Sequence, residues 1–154
     1  MTHEVVVQTV DELIALGERI GARLAGGETI ELVGDIGAGK TMLTKGLARG
    51  MGIAEEVQSP TFTLSRVYDA PNGRRLAHYD FYRLNNAGIM QAELAEVVQD
   101  ARTVTVIEWA AVVGDVLPDD TLRITICVQT DDTRRLELEA GGKCSKHIVQ
   151  ELMK

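Results

Sequence analysis

The sequence is poor in the features that define several classes of protein. Its two cysteines, Cys127 and Cys144, make neither a disulfide framework nor a metal-binding spacing. No apolar run approaches the ~18 residues that a membrane-spanning helix needs. The first residues lack the basic and apolar segments of a secretory signal. We therefore expect a protein of the reducing cytoplasm that does not enter a membrane.

An excess of basic residues is also missing. Lysine and arginine number 16 against 23 aspartates and glutamates, which gives a net charge of −7. A protein that grips nucleic acid through its own surface usually carries a basic face, so a stand-alone nucleic-acid binder is disfavoured. The composition, 45% hydrophobic and 25% charged, is that of a globular protein. The length, without repeats or linkers, predicts a single domain over residues 1–154.

Alternating strand and helix patterns indicate an α/β fold. Residues 29–33 and 104–107 are short apolar runs typical of buried parallel strands. Thr9 and Glu12 have the spacing of a capping box before a helix that extends to about residue 24. Further strands are predicted at residues 5–7, 61–68, 76–82, 122–128 and 135–139, and further helices at 40–49, 91–100 and in the tail 141–154. We expect a mostly parallel central sheet with antiparallel hairpin additions, flanked by helices.

The strongest motif lies between the first apolar strand and the helix that follows it. Residues 34–41 read Gly-Asp-Ile-Gly-Ala-Gly-Lys-Thr and match G-x-x-x-x-G-K-[S/T] at every fixed position. Glycines at 34, 37 and 39 let successive N–H groups converge on phosphate oxygens. Lys40 supplies a charge to the β- and γ-phosphates, and the Thr41 hydroxyl can bind Mg²⁺. The motif predicts a P-loop NTPase-like fold that binds nucleotide phosphates with Mg²⁺; the alternative is an ordinary glycine turn capping a helix.

Two carboxylates are candidates for the metal that a P-loop site needs. Glu108 directly follows an apolar strand, and Asp80 follows the more mixed strand of residues 76–79. The carboxyl ends of neighbouring strands are where P-loop proteins place such acids. We expect Glu108 to serve the metal and Asp80 to act near the γ-phosphate, where it would orient the attacking water. The pattern also allows Asp80 to be a surface residue.

Two further features have more than one interpretation from the pattern alone. Ser59-Pro60-Thr61 follows the P-loop helix, where some P-loop hydrolases carry a threonine that senses the γ-phosphate, but the tripeptide is also a common turn. Trp109, the single tryptophan, could stack on a base or fill the core.

Taken together, these segments resemble the TsaE family, small bacterial P-loop ATPases of the tRNA threonylcarbamoyladenosine pathway. The matching segments are the P-loop, Ser-Pro-Thr-Phe at 59–62, His-Tyr-Asp-Phe-Tyr-Arg-Leu at 78–84, Ile-Glu-Trp at 107–109 and Leu-Pro-Asp at 117–119. They occur in the family's order and span most of the chain. Two departures are Ala110, where the family usually has proline, and residues 92–97, which keep only part of an acidic pattern and lack its glycine.

The resemblance implies a set of roles. Lys40, Asp80 and Thr61 are the expected catalytic residues, and Thr41 and Glu108 the expected metal ligands. The expected nucleotide-binding residues are Gly34, Asp35, Ile36, Gly37, Ala38, Gly39, Lys40, Thr41, Met42 and Trp109. The implied activity is ATP hydrolysis in support of TsaD and TsaB, which modify adenosine 37 of tRNAs that read codons beginning with A. Contact with tRNA is expected only through these partners.

A small-molecule kinase is the main alternative. Such kinases usually carry an arginine-rich lid, whereas this chain offers only the pairs at 74–75 and 134–135. A GTPase lacks support because no Asn-Lys-x-Asp segment is present, and an ABC-type ATPase because no Ser-Gly-Gly signature is present. Arg66 and Arg83 could reach the site, but the sequence does not place them. Without an arginine finger, we expect slow hydrolysis by the protein alone.

Overall fold

Helices and strands alternate along the chain in a computed structural model, which describes residues 2–60, 64–82 and 88–154. The strands are β1 Thr2–Val7, β2 Thr29–Val33, β3 Ser65–Asp69, β4 Arg75–Asp80, β5 Thr103–Glu108, β6 Thr121–Val128 and β7 Arg134–Ala140. The helices are α1 Val10–Gly21, α2 Lys40–Gly50, α3 Gly88–Val97 and α4 Lys143–Leu152. Short 3₁₀ segments lie at Pro71–Gly73 and Ala110–Val116.

The strands form one seven-stranded sheet with the order β1-β7-β6-β2-β5-β4-β3. Its centre is parallel, because β2 pairs in parallel with both β5 and β6, and β4 pairs in parallel with β5. Its two edges are antiparallel, through the β3–β4 and β6–β7 hairpins and the pairing of β1 with β7. The predicted fold class is confirmed, including the parallel centre and the hairpin additions.

Helices α1 and α2 pack on one face of the sheet. Helix α1 begins after Thr9, whose hydroxyl accepts a hydrogen bond from the Glu12 N–H at 3.1 Å, as the capping-box spacing predicts. The two helices approach so closely that a Cβ added to Gly46 would lie 2.2 Å from the Ile14 carbonyl oxygen. The main core lies between these helices and the sheet and includes Leu13, Leu16, Ile20, Leu43, Leu47 and Val106.

A second, smaller core covers the opposite face of β4 and β5. It is formed by strand residues such as Tyr79 and Ile107 with Leu94 of α3 and Val113 of the second 3₁₀ segment. The alternation of side chains along β4 therefore divides its residues between the two cores. Its even-numbered residues, His78 and Asp80 among them, lie on the face of α1 and α2.

Several boundaries differ from the predicted ones. Strand β1 starts at Thr2 rather than at residue 5, because its whole length pairs with β7 from Thr2↔Glu139 onward. Helix α3 starts and ends three residues earlier than the predicted 91–100. Residues 61–63 of the predicted strand 61–68 lie outside the described residues. Among the residues that the structure describes, no helix combines the length and the apolar character of a membrane span.

Candidate functional site

The glycine-rich segment forms a tight loop between the end of β2 and the first residue of α2. The Ala38 N–H donates to the Asp35 carbonyl at 3.0 Å, which closes the loop on itself. Gly39 caps α2 with φ of 118°, a backbone conformation that side-chain-bearing residues rarely adopt. Gly37 also has a positive φ, whereas Gly34 does not, so the predicted special backbone is confirmed at two of the three glycines. The amino end of α2 thus opens directly beneath the loop, the arrangement that favours anions.

Lys40 is the first residue of α2, and its side chain folds back across the loop. Its ammonium group donates to the Gly34 carbonyl oxygen at 2.5 Å. The same group lies 4.4 Å from the centroid of the Trp109 indole ring, within cation–π range. The residue is buried, with 7% of its surface exposed. The Lys40 amine is therefore held between the Gly34 carbonyl and the Trp109 ring.

Two acidic side chains end neighbouring parallel strands beside this lysine. Asp80 closes β4 and Glu108 closes β5, and the two residues are partners in the strand register. Both are nearly inaccessible, at 4% and 3% exposure, so the interpretation of Asp80 as a surface residue is wrong. Asp80 accepts a hydrogen bond from the Tyr82 N–H at 3.0 Å, and Glu108 contacts His78.

The donor set fits a divalent cation of the Mg²⁺ type. Such ions prefer oxygen ligands, and a buried carboxylate requires a compensating charge or hydrogen bonds. Glu108 forms no ion pair with lysine or arginine anywhere in the described ranges 2–60, 64–82 and 88–154. Thr41 and both acids line one cleft. These residues could hold a hydrated metal ion that also contacts a phosphate.

The cleft has a volume of about 530 Å³ and lies at the carboxyl ends of the central strands. This is where open α/β sheets bind their ligands. Its lining residues are Val10, Ile36, Gly37, Gly39, Lys40, Thr41, Met42, Ser59, Asp80, Tyr82, Glu108, Trp109 and Arg134. Of the residues predicted to bind nucleotide, Gly34, Asp35 and Ala38 do not line the cleft. Their carbonyl and N–H groups make hydrogen bonds within or to the loop.

Trp109 forms a wall of this cleft. It is 37% exposed, so the interpretation as a core residue is wrong. The residue has φ of 59° and ψ of 49°, the left-handed conformation, at the junction between β5 and the second 3₁₀ segment. Its ring lies 5.0 Å from that of Tyr82, centroid to centroid. A strained backbone at a ligand cleft is typical of a position held for function.

Sequence analysis missed Arg134 and Tyr82. Arg134 begins β7, far from the loop in sequence, yet its Nε donates to the Ala38 carbonyl at 2.8 Å and its side chain lines the cleft. No local pattern marks such a residue, because only the sheet order brings β7 near the loop. Arg66 lies opposite His78 on β3 and is not among the residues that line the cleft. Thr61 and Arg83 lie outside the described residues.

Comparison with known proteins identifies a family that matches most of the chain. The family model described as threonylcarbamoyl adenosine biosynthesis protein TsaE matches residues 7–136. A protein of Bacillus subtilis named tRNA threonylcarbamoyladenosine biosynthesis protein TsaE is 34% identical over 92% of this chain and 88% of its own length. A protein of the same name from Streptomyces coelicolor is 38% identical over 77% of this chain and 80% of its own length.

A solved structure extends the match to the fold. The crystal structure of Bacillus subtilis YdiB superposes with a TM-score of 0.81 at 30% identity, and covers 99% of this chain and 95% of the other. The family match includes the P-loop, both buried acids and Trp109. The chain belongs to the TsaE family.

Proposed function

We propose that this protein is a Mg²⁺-dependent ATPase that takes part in forming threonylcarbamoyladenosine at position 37 of tRNA, together with TsaD and TsaB. The observation that carries the ATPase is the P-loop lysine enclosed with two buried acids in one cleft. The names of the relatives support the tRNA pathway. We further propose that residues 1–154 act as one P-loop domain in the cytoplasm.

Each residue of the cleft has a distinct part in this proposal. The loop N–H groups and the amino end of α2 bind the phosphates, and Lys40 leaves the Gly34 carbonyl to contact the β- and γ-phosphates. Thr41 and Glu108 would hold Mg²⁺, which would stabilise negative charge on the phosphates. Asp80 orients the attacking water and accepts its hydrogen bond. Thr61 senses the γ-phosphate.

We propose that the rate of hydrolysis depends on partners because few cationic side chains line the cleft. In the described part of the chain, its lining holds two of them, Lys40 and Arg134. Arg134 already donates from its Nε to the Ala38 carbonyl of the loop. An arginine finger can contribute 10³–10⁵ to the rate of phosphoryl transfer, and the described lining offers no arginine besides Arg134, so we expect slow turnover by the protein alone. We propose that docking onto TsaD and TsaB accelerates hydrolysis.

The test is phosphate release from Mg²⁺-ATP by the wild type, Lys40→Ala and Lys45→Ala, each with and without purified TsaD and TsaB. Lys45 is a matched control, because it lies on the same helix but pairs with Glu56 outside the cleft. We expect Lys40→Ala to lower kcat about 10²- to 10³-fold, as loss of a charge-stabilising donor does, and Lys45→Ala to leave it unchanged.

Three outcomes would contradict parts of the proposal. Equal rates for Lys40→Ala and the wild type would contradict the assignment of the ATP site to this cleft. A rate unaffected by TsaD and TsaB would contradict the proposed activation by these partners. Transfer of the γ-phosphate to an acceptor other than water would favour the small-molecule kinase.

A further inference from the structure

A buried hydrogen bond joins the two strands behind the cleft. The Nε2 atom of His78 on β4 lies 2.6 Å from the Oε2 atom of Glu108 on β5. His78 is fully inaccessible, at 0% exposure, and the Glu108 side chain is 4% exposed. His78 is two residues before Asp80, so its side chain lies on the same face of the sheet as both acids.

The direction of this hydrogen bond follows from chemistry. Glu108 must be ionised to bind a metal ion, and an ionised carboxylate can only accept hydrogen bonds, so in that state Nε2 carries the hydrogen and donates it to Glu108. The other ring nitrogen, Nδ1, is buried and has no hydrogen-bond partner within the described residues. Within the described residues the imidazole therefore makes one hydrogen bond, and its partner is Glu108.

The strand neighbours of His78 are apolar apart from Asp80 and Arg66, its register partner on β3. Its strand neighbour two residues earlier, Leu76, and its register partner Val106 are both fully buried members of the main core. An aliphatic side chain here would leave no nitrogen without a partner, and burying an unpaired polar atom is unfavourable. A histidine at such a position is better explained by what it does for Glu108 than by stability.

Glu108 has one oxygen engaged and one available. Oε2 accepts from His78, whereas Oε1 makes no hydrogen bond to any residue that the structure describes. The side chain also lines the cleft beside Thr41. A carboxylate held by one oxygen cannot rotate freely, which reduces the entropy lost when the other oxygen binds a ligand.

We propose that His78 is a positioning residue, which holds Glu108 in the orientation that presents Oε1 to the metal ion of a bound nucleotide. This inference rests on the proposed function, since Glu108, the residue that His78 orients, is one of the proposed metal ligands. Hydrogen bonds from outer groups to metal ligands are a general requirement of metal sites, and their loss costs 10- to 100-fold in affinity or activity.

The test uses three substitutions of His78. Two of them place an amide nitrogen near one of the ring nitrogens, and the third has no nitrogen. The amide nitrogen of His78→Gln reaches the position of Nε2, whereas that of His78→Asn reaches only the position of Nδ1. His78→Leu fills the space and has no donor. The readout is Mn²⁺ affinity by electron paramagnetic resonance in the presence of ADP, beside ADP affinity in the presence of a chelator and the midpoint of thermal unfolding.

We expect His78→Asn and His78→Leu to weaken Mn²⁺ binding at least about tenfold, and His78→Gln to stay close to the wild type. ADP affinity without metal should be the same in all four proteins. If His78→Leu fails to fold, the comparison of Gln with Asn decides. Equal Mn²⁺ affinity in the Gln and Asn variants, or a loss that follows unfolding temperature, would overturn the inference.

The two levels of proposal can be separated. If the wild type binds ADP and its Mn²⁺ affinity rises with ADP, the metal site stands and the variants test His78 alone. If the wild type binds no Mn²⁺ with ADP, the proposed metal site fails, and the role of His78 fails with it.

Discussion

The ammonium group of Lys40 stacks on the face of Trp109, 4.4 Å from the ring centroid, while it donates to the carbonyl of Gly34. A cation–π contact contributes about 0.5–1 kcal/mol at an exposed site and about 2 kcal/mol when desolvated, whereas the phosphates of a nucleotide offer the lysine full negative charges and hydrogen-bond acceptors. The lysine is therefore expected to leave the indole ring when phosphate enters the loop.

This exchange predicts an optical signal. Trp109 is the single tryptophan, so its emission reports only this site. We expect the intrinsic fluorescence to change in intensity on addition of Mg²⁺-ATP, with a midpoint equal to the Kd from calorimetry. Lys40→Ala should lack the nucleotide-dependent change. A spectrum that stays constant at saturating ATP would show that Lys40 does not move away from the ring.

Arg134 yields a second prediction. Its Nε holds the Ala38 carbonyl at 2.8 Å, so it supports the loop from β7 while its side chain lines the cleft. We expect Arg134→Leu to weaken ADP binding about tenfold, since a hydrogen bond with a charged donor is worth about 1.5 kcal/mol or more. Isothermal titration calorimetry measures the change.

The matched control for this prediction is Arg135→Leu. Arg135 is the next residue on β7, and it pairs with Glu137 rather than with the loop. Its substitution should leave the Kd for ADP at the value of the wild type. Similar losses in both variants would indicate a general effect of positive charge rather than support of the loop.

The sequence predicted those parts of the site that depend on local pattern. The loop and Lys40 follow from a spacing of fixed residues, and the apolar strand before Glu108 placed that acid at the centre of the sheet. Arg134 and the His78–Glu108 hydrogen bond depend on which strands are neighbours, and strand order is a property of the whole chain. For the same reason the start of β1 was predicted too late, because its first residues are held only by β7.

A third prediction concerns the packing of helix α1 against helix α2, the helix that follows the glycine-rich loop. A Cβ at Gly46 would lie 2.2 Å from the Ile14 carbonyl oxygen, so alanine would force α1 away from α2. Alanine favours helix by about 1 kcal/mol over glycine, yet overpacking costs typically 1–3 kcal/mol and more where backbone must move. We expect Gly46→Ala to lower the free energy of unfolding by about 2 kcal/mol or more in urea titrations.

Gly114→Ala is the control, because a Cβ there would meet no atom within 4 Å. Its effect should stay within about 0.5 kcal/mol, as for ordinary surface changes. If Gly46→Ala were as stable as the wild type, the helix contact would be looser than the structure has it.

The last prediction uses Asp120, which lies directly before β6 and caps the amino end of helix α4. Its two carboxylate oxygens accept hydrogen bonds from the N–H groups of Cys144 and Ser145 at 2.8 and 3.0 Å, and from the Ser145 hydroxyl. Burial acts to raise the pKa of Asp120, but these hydrogen bonds outweigh it and hold the pKa below its ordinary value. The charged form is thus favoured in the folded state.

The pH dependence follows from that direction. Asp120 stabilises the fold above the pKa that it has in the unfolded chain, about 3.9, and this stabilisation is lost as the pH falls through its lower folded-state pKa. We expect Asp120→Asn to lower the free energy of unfolding by about 1 kcal/mol at pH 7, as loss of a helix cap does, with a smaller difference near pH 3. Asp119→Asn, at the exposed neighbouring residue, should have no such effect. A difference between Asp120→Asn and the wild type that is constant across this range would mean that size or packing, rather than the charge on Asp120, stabilises the amino end of α4.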